Sequence, residues 1–365
     1  MIIVNFIDKL SDLNFGIWNA AIYNSLLLSD NYNITSYLMF SSTQNSSLLS
    51  NQYKVILQRY TIFNLFRIRY FAQSLALQPK NTIIITHGTW GLQTWFGFFL
   101  HCVGYKWIYV PHGMLEPWSL KEKHVKKSIY FYLIEYNLSK FADLVRAVSA
   151  NEAKNLNRFY KNVFLQPNGI NTYQYSISPD NRLVKNILFM ARLHHKKGII
   201  PLVQAWLLSN LNNNETYKLI IAGKDDGELQ LLQKHILSNK TNNVAYVGTV
   251  YNQDKINVLK QSSFFILPSF SEGFPTSIVE ALDFGLIPII TDGCNFPELF
   301  EEQLAIKITT EINSICSALN SLQDIDNKQM IDWSKRCTTY VRTNYSAELL
   351  TEKQIIIFRD LFHEK

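Results

Sequence analysis

Short β-branched runs alternate with longer amphipathic stretches along nearly the whole chain, and this alternation restricts the fold more than any other feature. In the first half, Ile2–Ile7, Ile34–Met39, Thr82–Thr86, Trp107–Val110, Leu144–Val148 and Val163–Leu165 read as strands. Helical stretches such as Trp18–Leu28, Phe63–Leu77, Trp90–Val103 and Glu122–Ser139 lie between most of them. Pro167-Asn168-Gly169 then interrupts with turn chemistry. The pattern restarts with strands predicted at Ile187–Met190, Leu219–Ala222, Ala245–Val247, Phe264–Leu267 and Ile287–Ile290, and helices at Ile199–Ser209, Glu228–Leu237, Gln253–Lys260 and Thr276–Phe284. Such alternation builds right-handed βαβ units and parallel sheets covered on both faces. It predicts an α/β fold of two doubly wound, Rossmann-like domains with a hinge within 166–186. Ligands of such folds sit beyond the carboxyl ends of the strands, so the polar residues after each strand carry the functional information.

Composition agrees. At 365 residues, and roughly 150 per domain, the chain has room for two cores. A hydrophobic fraction of 47% with 18% charged residues excludes disordered, collagen-like and coiled-coil classes. Cys102, Cys294, Cys316 and Cys337 are widely spaced, with no CxxC pair, which argues against a disulfide framework or structural zinc and for a reducing compartment. The apolar N-terminus reaches Asp8 and Lys9 at once, so a first strand is expected there rather than a signal peptide. The most membrane-like stretch, Thr89 to Val110, is broken by Gln93, His101 and Lys106, too often for a span.

Two segments carry the chemistry. Ser269-Phe270-Ser271-Glu272-Gly273-Phe274-Pro275-Thr276-Ser277-Ile278-Val279-Glu280 follows a strand, and Pro275 suits the first turn of a helix. Glu272 is then on the loop and Glu280 about a turn into the helix. Free N–H groups at Thr276 and Ser277 would favour a phosphate. A carboxylate on either side suits a nucleotide sugar, one taking sugar hydroxyls and the other the ribose diol; a solvated loop with a capped helix is the alternative. Met190-Ala191-Arg192-Leu193-His194-His195-Lys196-Lys197-Gly198 opens a helix after another strand. Arg192 offers a planar fork and Lys197 a point charge, a pair able to hold a departing diphosphate or simply to face water. His194 and His195 are expected on the solvated part of that loop.

Together these residues resemble the family-4 retaining glycosyltransferases of the GT-B fold, the group 1 glycosyl transferases of the bacterial surface-polysaccharide type. Glu272 to Glu280 matches that family's Glu-x7-Glu motif, and Arg192 and Lys197 match its diphosphate-binding pair. Ile221-Ala222-Gly223, Gln166-Pro167-Asn168-Gly169-Ile170, Phe296-Pro297-Glu298-Leu299, Thr86-His87-Gly88-Thr89-Trp90 and Pro111-His112-Gly113-Met114-Leu115-Glu116-Pro117-Trp118 extend the likeness over roughly residues 82–300, with Ala142-Asp143-Leu144 through Ser149 and Glu152 fitting more loosely. The resemblance implies two Rossmann-like domains facing a cleft: 1–170 on the acceptor side, 171–345 binding the nucleotide sugar, and a helix at 346–365 packing back on the first. It assigns His112, Arg192, Lys197 and Glu272 to catalysis, with His112 touching the donor sugar. Gly16, Gly223, Phe274, Pro275, Thr276 and Glu280 fall to donor binding. His87, in a setting like that of His112, is weighted towards a structural role. Gly16 stands where many members carry a Gly-Gly loop, of which this chain keeps one residue ahead of a helix.

The implied activity is transfer of a sugar, with retention and without a metal ion, from a nucleotide-sugar donor to a glycan or polyprenyl-diphosphate-linked acceptor in O-antigen or capsule synthesis. No cofactor is implied, the donor being a substrate. The rivals are a nucleotide-sugar epimerase of the same fold and a catalytically silent, nucleotide-sugar-binding member of an assembly. Asp324-Ile325-Asp326, formally a metal-binding Asp-x-Asp, lies in a polar tail with no strand before it and reads as surface. Lys224-Asp225-Asp226-Gly227 reads as a loop on a pocket rim. Lys121, Lys123, Lys126 and Lys127 precede the aromatic-rich Ser128–Ile134, which suits an anionic membrane surface or a solvated helix start. The expected location is therefore cytoplasmic, at the inner face of the cytoplasmic membrane. The net charge of +6 is modest and no nucleic-acid-binding module is recognisable, so nucleic acid is not expected as a partner.

Overall fold

The computed structural model describes residues 1–10, 15–43, 56–117, 120, 124–172, 185–239 and 241–363. The chain forms two compact units, Met1–Asn171 with Tyr345–Lys365, and Thr172–Asn344.

In the first unit the order is β1 (Ile2–Leu10), α1 (Phe15–Tyr32), β2 (Thr35–Thr43), β3 (Ile56–Arg59), α2 (Ile62–Phe66), α3 (Ile68–Ser74), β4 (Thr82–His87), α4 (Leu92–Cys102), β5 (Lys106–Val110), α5 (His124–Tyr130), α6 (Tyr136–Ser139), β6 (Leu144–Ala147), α7 (Ala150–Leu156) and β7 (Val163–Leu165). The seven strands form a parallel sheet in the order β3-β2-β1-β4-β5-β6-β7. The order reverses between β1 and β4, which makes their carboxyl ends a topological switch point. Every residue of β4 is buried, the pattern of a central strand covered on both faces. Phe6, Tyr60, Phe71 and Phe96 pack ring against ring beside it, Phe6 and Phe96 stacked at 5.0 Å.

The second unit runs β8 (Lys185–Met190), α8 (Ile199–Leu208), β9 (Tyr217–Ala222), α9 (Leu229–Ser238), β10 (Val244–Gly248), α10 (Asn252–Lys260), β11 (Ser262–Leu267), α11 (Thr276–Asp283), β12 (Ile287–Thr291), α12 (Glu298–Glu301), β13 (Ile306–Ile308), α13 (Ile312–Ser321) and α14 (Asn327–Tyr345). Its parallel sheet is ordered β10-β9-β8-β11-β12-β13, with the switch between β8 and β11. The last helix, α15 (Ala347–His363), belongs to the first unit. It is held there by Asn24, whose Nδ2 donates to Gln354 Oε1 at 2.7 Å, and by Gln166 Nε2, which donates to the Leu350 carbonyl at 2.8 Å.

The α/β, doubly wound architecture expected from the alternation is present in both units. Three details differ. β3 and β13, short strands at the sheet edges, are not evident in the pattern. The helix expected over Phe63–Leu77 is broken at Arg67, whose φ of −120° and ψ of 43° leave the helical region. Between α5 and α6 the chain makes a π-helical turn, Phe131–Glu135. That turn points Glu135 inward, where Thr94 Oγ1 and the Tyr109 hydroxyl both donate to its Oε1 at 2.8 Å and burial raises its pKa. None of the described helices is long and apolar enough to cross a membrane.

Candidate functional site

In the second unit, two glycines let three loops stack at the carboxyl ends of β8, β9 and β11. Gly198 adopts the left-handed conformation (φ 69°), and a Cβ there would lie 2.2 Å from the Pro268 carbonyl oxygen. The loop after β8 therefore lies directly on the loop after β11. Phe270 N and Ser269 Oγ both donate to the Lys196 carbonyl, at 2.9 and 3.1 Å. Gly223 allows the equivalent approach after β9, since a Cβ there would sit 1.8 Å from the Ala191 carbonyl oxygen. Leu193 N then donates to the Lys224 carbonyl at 2.8 Å and Asp226 N to the Leu193 carbonyl at 3.1 Å.

Two opposite-charge pairs join these loops, and a third joins α10 to α11. Lys197 Nζ lies 2.6 Å from both carboxylate oxygens of Glu272, with the side chains only 14% and 10% exposed. Arg192 Nη1 donates to Asp226 Oδ2 at 2.6 Å in a more open setting, 40% and 25% exposed. Lys255 Nζ, from α10, donates to Glu280 Oε1 on α11 at 2.8 Å. Arg192 and Lys197 thus share a loop, and each faces a carboxylate from a different loop.

The expected local geometry needs correction at three points. Pro275 is the N-cap of α11, with φ −84° and ψ 78°, not a first-turn residue. The Thr276 N–H donates to the Phe274 carbonyl at 3.0 Å and is not free for a phosphate. Gly16 is the second residue of α1 rather than a loop residue ahead of it, and residues 11–14 lie outside the described set. Gly223 is explained by loop packing against Ala191. Phe274 is half-buried, its ring centroid 6.1 Å from that of Phe296. Sequence reasoning missed Lys255 altogether and gave Asp226 no partner. Neither contact is local: the pairs join residues 25 and 34 positions apart.

In the first unit, the switch point carries a buried polar chain. His87, last residue of β4, places Nδ1 2.9 Å from His112 Nε2 and Nε2 2.9 Å from Asn5 Oδ1. The two imidazoles stack with centroids 5.2 Å apart. Burial, with the Arg146 charge nearby, lowers the His87 pKa to about 3; burial and its neighbours take His112 well below the usual histidine value as well. Both rings are therefore neutral. His112 has a φ of 56°, a strained conformation for a non-glycine residue, and the next residue is held by Glu152. One Glu152 oxygen accepts from Gly113 N at 2.5 Å and the other from Val148 N at 2.7 Å. Burial pushes the Glu152 pKa up to about 7, those N–H bonds opposing the shift. Arg146 donates to the carbonyls of Gln166 and Pro167 and to Asn168 Oδ1. Asn5, His87, His112, Arg146, Gln166 and Gln354 line a small polar cavity, into which α15 contributes.

Away from these loops, Asp324 and Asp326 are both exposed, and Asp326 caps α14 by accepting from Gln329 N at 2.8 Å. Lys126 is exposed and Lys127 half-buried, whereas Lys121 and Lys123 lie outside the described residues. Among the described residues no cluster of His, Cys, Asp and Glu is arranged to hold a metal ion.

Residues 179–336 match the family model described as glycosyl transferases group 1. A Campylobacter jejuni alpha-1,4-N-acetyl-D-galactosaminyltransferase, named for a diNAcBac-PP-undecaprenol-linked substrate, is 28% identical over 165 residues, 45% of this chain and 44% of that one. The Escherichia coli O-antigen chain mannosyltransferase B is 27% identical over 142 residues, 38% and 36% of the two chains. The matches thus span less than half the length of these two relatives. In fold, a Rickettsia africae glycosyltransferase superposes with a TM-score of 0.79 at 17% identity over 100% and 99% of the chains. Anabaena Alr3699/HepE in complex with UDP gives 0.80 at 15% over 99% and 100%.

Proposed function

We propose, from the match of residues 179–336 to the model of glycosyl transferases group 1, that this chain transfers a sugar from a nucleotide-sugar donor to a glycan or polyprenyl-diphosphate-linked acceptor in surface-polysaccharide synthesis. The observation that carries the proposal is the stacking of loops that brings Arg192, Lys197 and Glu272 to the carboxyl ends of β8 and β11 within the matched residues, with Glu280 on the helix that follows. Substrate class is drawn from relatives whose names specify lipid-linked acceptors and bacterial polysaccharides.

In the reaction, the sugar–phosphate bond breaks and negative charge gathers on the departing diphosphate. Arg192 and Lys197 neutralise that charge in a partly dehydrated site, the work a divalent cation would otherwise do. Each cation must exchange its present carboxylate for phosphate oxygens. Release from Lys197 leaves Glu272 with two acceptor oxygens for sugar hydroxyls, and Glu280, steadied by Lys255, takes the ribose diol. His112, neutral and strained, is the residue we assign to the donor sugar. Among the described residues this scheme assigns no carboxylate as a covalent nucleophile, so transfer on the face of the leaving diphosphate, with retention, is the route proposed. Phe274, Pro275 and Thr276, at the start of α11, are the residues we assign to the donor pocket of the second unit. The proposed location is the inner face of the cytoplasmic membrane, where a lipid-linked acceptor is found.

A thermal-shift panel of nucleoside diphosphates and UDP- and GDP-linked sugars tests the reading. A true donor at a hundredfold its Kd adds about 2.7 kcal/mol of stability. Absence of stabilisation by every nucleotide would remove the donor site from the second unit.

A further inference from the structure

In the first unit, α2 and α3 are apolar on both of their faces. Leu65, Ile68, Phe71 and Ala72 pack against the core. On the opposite side Ile62, Phe63, Phe66 and Tyr70 are 46%, 77%, 81% and 69% exposed, with Arg67 and Arg69 exposed among them. A helix pair of a water-soluble surface would carry charges at these positions. Single exposed apolar residues need no explanation, but four neighbouring aromatic and aliphatic tips with two arginines do. The surrounding sequence is one-sided in charge: residues 31–115 contain six Lys and Arg residues and no Asp or Glu. The segment therefore offers apolar tips for insertion and lies in a stretch of chain whose only Lys, Arg, Asp or Glu residues are basic.

We infer that α2–α3 is a lipid-facing surface, which docks on an anionic bilayer by inserting Phe63, Phe66 and Tyr70 between headgroups that Arg67 and Arg69 pair. Aromatic and long aliphatic side chains sit at the boundary of headgroup and hydrocarbon, and arginine stems extend along apolar surface while their guanidinium groups reach the phosphates. This surface is separate from the lysines near α5, which carry a second exposed apolar set, Val125, Ile129, Tyr132 and Leu133, 67%, 54%, 59% and 70% exposed. Helix α4 packs against α2, α3 and α6, so both segments are anchored to one core. The inference rests on the membrane location proposed above and names the element that performs it.

The test is co-sedimentation of the full chain with vesicles of phosphatidylcholine alone, or of equal parts phosphatidylglycerol and phosphatidylcholine, at low and physiological salt. The parent binds the anionic vesicles, more weakly as salt rises. Phe63→Ser with Phe66→Ser lowers the partition coefficient at least about tenfold. Arg67→Gln and Arg69→Gln each lower it about fivefold, on anionic vesicles only. All three variants keep the parent's melting temperature and its nucleotide-induced thermal shift, since none of the residues is buried.

Three results would overturn the assignment. Variants that bind anionic vesicles as the parent does, while Lys126→Gln with Lys127→Gln abolishes binding, would place the contact on α5 and leave the membrane location standing. A parent that ignores anionic vesicles at low salt yet binds nucleotide would remove the membrane contact and leave the donor site intact. Dimers in vesicle-free solution that Phe63→Ser dissolves would assign the face to a second copy of the chain.

Discussion

At the scale of single residues, the donor loops are occupied by their own counter-charges, and this shapes what substitutions do. Lys197→Ala removes a charge that stabilises the leaving group, so turnover falls roughly 10²–10³-fold. It also leaves Glu272, itself 8% exposed, without its cation. A stability loss of about 1–3 kcal/mol in urea titration accompanies the kinetic defect. A polar-loop reading of the sequence alone misses that second cost, because the burial of the pair comes from loops stacking 75 positions apart. The Arg192–Asp226 pair behaves differently. Asp226 competes with phosphate for the guanidinium, and the pair is exposed enough to hold it only weakly. Asp226→Asn therefore tightens nucleoside diphosphate binding about two- to fivefold in calorimetry. Weaker binding in that variant would make Asp226 part of the ligand site rather than a competitor.

At the scale of elements, β1, β4 and the turn after β5 are joined at the switch point by Asn5, His87 and His112. His87 is neutral in the folded chain down to about pH 3 but takes a proton near pH 6.5 when unfolded. In that window the unfolded state binds more protons, so stability falls as pH drops from about 6.5 towards 3. His112, shifted in the same direction, adds to the loss. Urea denaturation at stepped pH should show a shallower decline over this window for His87→Gln than for the parent. An unchanged slope would mean that His87 is hydrated and titrates normally. The sequence exposed the strands that carry these residues, because a parallel sheet covered on both faces needs uninterrupted apolar runs. It did not expose β3 or β13. Four and three residues at a sheet edge leave too short a run to separate from a loop. The break at Arg67 was equally hidden, since Leu65, Ile68 and Phe71 keep helical spacing across it.

At the scale of the whole molecule, two Rossmann-like units were legible from the alternation of strands and helices, and the positions of Glu272 on a loop and Glu280 on the following helix from motif spacing. The partners that hold Arg192 and Glu280 were not, because Asp226 comes from the loop after β9, which Gly223 lets approach the loop after β8, and Lys255 comes from a different helix, α10. The α2–α3 surface was hidden for a related reason: Phe63 and Phe66 look like core residues until the fold shows that Leu65 and Phe71 face inward instead. The central claim is group transfer rather than donor binding alone. Its most direct measurement follows label from radiolabelled nucleotide sugars, with purified chain, in the presence and absence of a bacterial membrane lipid extract. The account predicts that label enters the lipid-extractable fraction only when extract is present, with one nucleoside diphosphate released per sugar moved, and that Arg192→Ala slows this roughly 10²–10³-fold. Label that stays on the nucleotide as an epimerised sugar, or a donor that binds and is never turned over with any extract, would contradict it.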